Sequence, residues 1–176
     1  MTEACNSVGE QSWGYRSNED FFSKRHLTTS IDKIMSLGGS YLLNVGPDGN
    51  GEITEPYADK IRKVGDWYNR MEGCLKCHEP DTFNYKVRKN KVTVTRKDGK
   101  SYFHFYDGIV SSSVAFEYFP KKPKKVRLMN TGEELCVTIE KLPEYFTNGQ
   151  AMTHLHISGI PIDDLVSEPI VIEIEW

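Results

Sequence analysis

No apolar run in the sequence approaches the roughly 18 residues that a membrane-spanning helix requires, so a membrane partner is not expected. Residues 1–30 also lack the short apolar core of a secretory signal peptide, and the sequence as written reads as soluble, with its compartment open. Charge of one sign is scarce as well, with a net −3 across 176 residues. The one basic cluster, Lys121, Lys122, Lys124 and Lys125, is interrupted by Pro123 and runs into the alternating Val126 and Leu128. That pattern speaks against a nucleic-acid partner. Internal repeats and low-complexity stretches are absent. What remains is 38 % hydrophobic residues, enough for one moderate core or two small ones.

Cysteine is sparse, yet two of the four form Cys74-Leu75-Lys76-Cys77-His78. That spacing fits haem attachment, a thiol or zinc pair, or ordinary linker cysteines. A haem protein would also need a second axial ligand and a small helical fold around the porphyrin, whereas this motif falls between a helical and a strand-rich half, which favours linker cysteines. Cys5 and Cys136 stand apart and read as buried or free thiols. No cofactor is expected.

The chain changes character across residues 74–82. Before it, residues 28–37 offer Thr and Ser as N-cap, then Ile31, Ile34 and Leu37 at three-residue spacing, and Gly38 as a left-handed C-cap. Residues 41–45 form an apolar run without alternation, which predicts a parallel strand covered on both faces. A loop rich in glycine follows. Thr54 then caps a second helix with Glu55 and Pro56 in its first turn, Tyr57, Ile61, Val64, Tyr68 and Met71 along one face, and Gly73 at its end. Helix, strand, loop and helix in this order imply a parallel sheet whose other strands lie outside the chain.

From residue 83 onward the period is two. Val92 and Val94 lead through Asp98-Gly99 to Phe103 and Phe105, a predicted hairpin. Val126 and Leu128 lead through Asn130-Thr131-Gly132 to Leu135, Val137 and Ile139, a second. Leu155 and Ile157, then Ile170, Ile172, Ile174 and Trp176, alternate strictly. Six to eight such strands make an antiparallel β-sandwich.

Three segments, "SWGYR" at 12–16, "SLGGSYLLNVGPDGNGEI" at 36–53 and "IRKVGDWYNRMEG" at 61–73, resemble in order and separation the C-terminal part of glycoside hydrolase family 29 α-L-fucosidases. The resemblance is clear over residues 3–73 and agrees in architecture over 83–176. It implies the last portion of a (β/α)8-like catalytic barrel at 1–73, a linker at 74–82 and a β-sandwich at 83–176. The N-terminal barrel portion would be the missing partner, and a fucosylated glycan or glycoconjugate the substrate. In such barrels the active site lies in the loops after the strands, which gives the 44–51 loop its meaning: glycine lets backbone approach a ligand or a neighbouring loop, and Pro47 stiffens the strand exit.

Retaining glycoside hydrolysis needs two carboxyl groups in one pocket. No segment matches the surroundings of the family's aspartate nucleophile, and Asp107, in Tyr106-Asp107-Gly108, reads as a turn residue. By resemblance Glu3 takes the place of the acid/base carboxylate, with Glu10 as the alternative. Trp13 and Tyr15 would stack on the apolar face of fucose or pack in the barrel wall. Asn44 and Asp48, with Asn50, are candidates for sugar contact, and His26 reads as a surface residue. Asp48, Asn50 and Glu52 mimic the start of a calcium loop, but Ile53 occupies the position that requires glycine, so no metal is expected. The reading is a fragment of a fucose-releasing hydrolase, inactive in isolation. The alternative is a noncatalytic sandwich module for carbohydrate binding or interaction.

Overall fold

The computed structural model describes residues 2–142 and 152–176. The first element is strand β1 (Glu3–Ser7), which the sequence reading missed. Helix α1 (Lys24–Ser36) begins four residues before the predicted start. Ser23 is its cap, accepting from the His26 N–H at 3.1 Å, whereas Thr28 is buried in the helix and donates back to the Lys24 carbonyl at 2.9 Å. Gly38 ends the helix at φ +84°, a conformation other residues rarely adopt.

Strand β2 (Ser40–Asn44) follows, and two corrections apply to it. Its parallel partner lies within the chain, since β1 pairs with it from Glu3↔Ser40 to Ser7↔Asn44. It is also not covered on both faces. Tyr41 and Leu43 pack with the helices, while Leu42, on the other face, is 47 % exposed.

Helix α2 (Glu55–Leu75) starts where expected, although the Thr54 hydroxyl makes no capping bond, and it runs two residues beyond Gly73. Cys74 is therefore no linker residue: it is fully buried, its thiol donates to the Met71 carbonyl, and burial, aided by the charge of Asp32, pushes the thiol pKa well up. Cys77 is exposed and His78 is held by the Met35 carbonyl at 2.8 Å, so the C-x-x-C-H residues do not converge. Trp67, absent from the predicted stripe, is completely buried on α2. Among the described residues no group of three or more His, Cys, Asp or Glu is placed to hold a metal, and no helix is long and apolar enough to cross a membrane.

The rest is mostly antiparallel sheet. Strands β3 (Glu79–Pro80), β5 (Thr93–Lys97), β6 (Lys100–Phe105), β11 (Ile170–Glu175) and β8 (Lys125–Leu128) form one sheet, in that order. Strands β4 (Lys86–Val87), β7 (Ser113–Tyr118), β10 (Met152–Ser158) and β9 (Cys136–Leu142) form the other. Phe103, Phe105, Ile172 and Ile174 from the first share a core with Val114, Phe116, Leu155 and Ile157 from the second.

The predicted β5–β6 hairpin is present, its turn at Asp98 and Gly99 with φ of 52° and 77°. The second predicted hairpin is not one paired sheet unit. Bonds such as Leu135 N–H to the Val126 carbonyl close a tight reversal, but β8 then pairs with β11 and β9 with β10. Val137, on β9, packs against the core from the opposite sheet, and that destination is invisible to a local alternation.

Strands β6 and β11 are buried on both faces. Their inner residues fill the core between the sheets, and Tyr102 and Val171 on the outer face pack against Leu27, Ile31, Trp67 and Met71 of the helices. Two polar nodes lie in this junction. His104 Nδ1 on β6 meets Asp32 Oδ1 on α1 at 2.8 Å, both side chains fully buried, and His104 Nε2 meets Thr95 Oγ1 at 3.1 Å. Glu168 accepts from Lys24 at 2.7 Å, Arg70 at 2.8 and 3.0 Å, and Asn130 at 2.8 Å. Burial alone would raise the Glu168 carboxyl, but the hydrogen bonds from Lys24, Asn130 and Arg70 outweigh it and hold its pKa below the usual value.

A carboxyl whose folded-state pKa is lowered stabilises the fold above its unfolded value and loses that contribution as the pH falls through the folded one. Glu168→Gln should therefore lower stability near neutral pH by on the order of 2 kcal/mol, and the gap to the parent chain should close in acid. Chemical denaturation of both chains across the acid range measures this; equal stability at neutral pH would show that the node contributes nothing.

Candidate functional site

The C-terminal ends of β1 and β2 lie side by side, and the loops that leave them are tied together. After β1, residues 8–23 double back: Val8 donates to the Asn44 carbonyl at 3.1 Å, Glu10 to the Asp20 carbonyl at 2.8 Å and Phe22 to the Val8 carbonyl at 3.1 Å. The Gln11 side chain bonds Asp20 and its N–H donates to Glu19 Oε1 at 2.8 Å. This excursion carries Trp13 and Tyr15, which are 54 % and 40 % exposed.

Three residues hold it against the β2–α2 loop. Asn44 Nδ2 donates to the Trp13 carbonyl at 2.6 Å. The Tyr57 hydroxyl, at the start of α2, accepts from the Arg16 N–H at 3.0 Å and lies 3.3 Å from the Arg16 carbonyl. Its ring sits 5.6 Å from Tyr15 and 4.8 Å from Phe21, edge-on to the latter. Gly46 is the third, through what it lacks: a Cβ there would fall 2.4 Å from the Tyr15 nitrogen and 2.5 Å from the Gly14 carbonyl carbon. The glycine following the strand thus admits a neighbouring backbone.

Asp48 organises its own loop. Its Oδ1 accepts from the Asn50 and Glu52 N–H groups, both at 2.9 Å, while its N–H donates to the Glu52 carbonyl and its carbonyl accepts from Gly51. A carboxylate so engaged closes a turn, as short Asx side chains do. Asn50 is exposed beside it.

Glu3 occupies the opposite end of β1. Paired residues of a parallel ladder share a face, so Glu3, Cys5 and Ser7 line up with Ser40, Leu42 and Asn44 on the side turned away from the helices. Glu3 and Asn44 share that uncovered face, yet the four residues from Glu3 to Ser7 put about 13 Å between Glu3 and the loop end. Glu10 lies at the loop end and is exposed. His26 is exposed and stacks on Phe22 at 4.5 Å, and Asp107 is an exposed turn residue beside Gly108, whose φ is 81°. The structure thus gathers Trp13, Tyr15, Asn44 and Asp48 at one end and leaves Glu3 at the other. Tyr57 was legible only as one more apolar residue of α2, although its hydroxyl pins the aromatic loop.

Residues 1–73 match the sequence model of the alpha-L-fucosidase family. The tissue alpha-L-fucosidase of Rattus norvegicus is 31 % identical over 116 residues, which is 62 % of this chain and 25 % of that protein. The human tissue alpha-L-fucosidase is 28 % identical over 106 residues, 58 % of this chain and 23 % of its own length. The chain therefore spans about a quarter of the curated relatives it matches. Among solved structures, Thermotoga maritima alpha-fucosidase in complex with fucose superposes with a TM-score of 0.70 at 23 % identity, covering 98 % of this chain and 39 % of that one. Isoenzyme 1 of Paenibacillus thiaminolyticus alpha-L-fucosidase gives the same score and identity over the same shares. At that identity the likeness concerns the fold.

The close approach at Gly46 sets a clear expectation. Gly46→Ala should destabilise the chain by about 1–3 kcal/mol, since backbone and not a movable side chain blocks the methyl group. Gly49→Ala, with nothing within 4 Å of its Cβ, should stay within about 0.5 kcal/mol. Thermal unfolding of both variants tests the pairing; similar losses, or none at Gly46, would mean that the two loops are not held in contact.

Proposed function

We propose that this chain, which resembles the C-terminal part of the α-L-fucosidases and carries their family pattern over residues 1–73, supplies one flank of a fucose-releasing active site. In this reading β1, α1, β2 and α2 are the last portion of a (β/α)8-like barrel, and the two antiparallel sheets are its C-terminal β-sandwich. The supporting observation is the two-stranded parallel sheet, with helices on one side and an uncovered face with exposed Leu42 on the other, as a piece of barrel wall would have. Its substrate would be a fucosylated glycan.

The roles divide by geometry. Trp13 and Tyr15, exposed at the C-terminal ends of the strands, offer ring faces to the apolar face of a fucose unit. Asn44 and Asp48 hold the two loops in shape through their bonds to backbone. Hydrolysis with retention then requires a nucleophile from elsewhere in the barrel, with a second carboxyl group roughly 5 to 5.5 Å from it that first donates a proton to the leaving oxygen and then takes one from water. Family resemblance assigns that second group to Glu3. Its place on the uncovered face, with Asn44, supports the assignment, and its depth requires the glycosidic oxygen to sit well inside the barrel mouth.

The chain alone should release no fucose from an aryl α-L-fucoside, because an acid/base group without an attacking carboxylate forms no glycosyl-enzyme intermediate. Turnover by the purified chain, free of host glycosidase, would contradict this. In a full-length enzyme carrying this segment, Glu3→Gln should slow hydrolysis of natural fucosides by about 10² to 10⁴, with partial rescue by azide. If instead Glu10→Gln gives the azide-rescued loss and Glu3→Gln is silent, the proton donor belongs to the loop end of the strand.

A further inference from the structure

On the sandwich, away from the loop site, the core aromatics do not stop at the surface. Phe103 lies edge-on to Tyr85 at 4.8 Å, Tyr85 stacks on Trp176 at 5.7 Å, and on its other side Phe83 follows at 4.7 Å and Tyr118 stacks on Phe83 at 5.2 Å. The series ends in the open, with Tyr118 56 % exposed. Next to it is a cleft of about 240 Å³ between the segment after β3, the β5–β6 turn, the residues following β7 and the end of β11.

The floor of the cleft is rigid. Asp81 Oδ2 accepts from the Tyr85 hydroxyl at 2.9 Å and from Ser101 Oγ at 2.6 Å, and its Oδ1 accepts from the Phe83 N–H at 3.0 Å. Trp176 Nε1 donates to Ser101 Oγ at 3.0 Å. Burial pushes the Tyr85 phenol up to about 12, so it remains a neutral donor at any physiological pH. The rings that line the cleft are locked before any ligand arrives, which removes part of the entropic cost of binding. The rim is the reverse: Arg96 and Lys121 are exposed and make no salt bridge among the described residues.

We infer that this cleft binds a single pyranose ring of a glycan, stacked on the aromatic wall and hydrogen-bonded through its hydroxyls to Arg96 and Lys121. Fixed aromatic faces complement the C–H face of a sugar, and unpaired N–H donors beside them complement its hydroxyl oxygens. At about 240 Å³ the cleft lies below the roughly 300–1,000 Å³ of pockets for drug-sized ligands, which limits an occupant to about one ring. The inference does not rest on the hydrolase reading. It assigns the sandwich a second contact with a carbohydrate chain, remote from bond cleavage.

The three indole N–H groups, of Trp13, Trp67 and Trp176, distinguish the sites in one experiment. The ¹⁵N-labelled chain is titrated separately with methyl α-L-fucopyranoside, methyl β-D-galactopyranoside, N-acetylglucosamine and sodium sulfate. At least one of the sugars should shift the Trp176 indole resonance saturably in the millimolar range, and exposed-residue variants Lys121→Ala and Arg96→Ala should each weaken that binding about tenfold. A shift confined to Trp13 would locate sugar binding at the strand-end loops and overturn the assignment of this cleft without touching the hydrolase reading. A Trp176 response to sulfate alone, no response to any sugar, or unchanged affinity in both variants would overturn it as well.

Discussion

The buried contact between Asp32 and His104 is the constraint on which the molecule depends. Taking a carboxylate and an imidazole fully out of water is unfavourable unless each finds a partner, and here each partner sits on a different half of the chain. Thr95 satisfies the second imidazole nitrogen, so a single register of α1 against β5 and β6 satisfies both ring nitrogens and Asp32 Oδ1, while Asp32 Oδ2 stays buried without a partner among the described residues. Apolar packing of Leu27, Ile31, Trp67 and Met71 on Tyr102 and Val171 supplies the bulk of the attraction, but apolar surfaces can slide. The polar pair, with Glu168 bridging Lys24 and Arg70, fixes where they stop. Removing one partner of such a pair typically costs about 3–5 kcal/mol, far more than an exposed ion pair contributes.

The same helices also carry the loop site. Gly38 turns the chain from α1 into β2, β2 pairs with β1, and the two following loops lie in contact. Gly46 lets their backbones meet, Tyr57 and Asn44 bond across, and Asp48 ties the outer turn to itself. Side chains that look like ligand contacts in the sequence are thus engaged with backbone, and the exposed rings of Trp13 and Tyr15 are what the site presents outward. Exposed side chains on loops held by a rigid scaffold are a common arrangement, and here the scaffold is the parallel strand pair and the helices packed on it.

Much of the fold was legible in the residues where local chemistry decides. The α2 stripe, the Asp98-Gly99 hairpin and the alternation of β11 each depend on neighbours a few positions away. The failures are non-local. Strand β1 escaped because Glu3–Ser7 has little apolar pattern and gains its identity from pairing with β2. The strand after Gly132 alternates like a hairpin arm, yet it pairs with β10 in the other sheet, where Val137 packs against the core and Ile139 stays 44 % exposed. Cys74 reads as a linker cysteine until the sheet that covers it is known. For the candidate site, the resemblance to fucosidases pointed to the loops after β1 and β2, which the structure places side by side. Only the ladder register showed that Glu3 and Asn44 share a face at opposite ends of the strands, and nothing in the sequence distinguished Tyr57 or Gly46 as the pieces that join the loops.

If the buried pair unites helices and sheets in one cooperative body, their slowest amides must exchange through the same opening. Native-state hydrogen exchange as a function of denaturant measures this directly. The amides of α2 around Trp67 and Met71 and those of β11 around Ile172 are predicted to converge on one opening free energy and one denaturant slope. In the Asp32→Asn variant both sets should fall together. Helix amides that exchange through a separate opening of much lower free energy, while β11 stays protected, would contradict the claim and make the sheets an independent unit on which the helices merely rest.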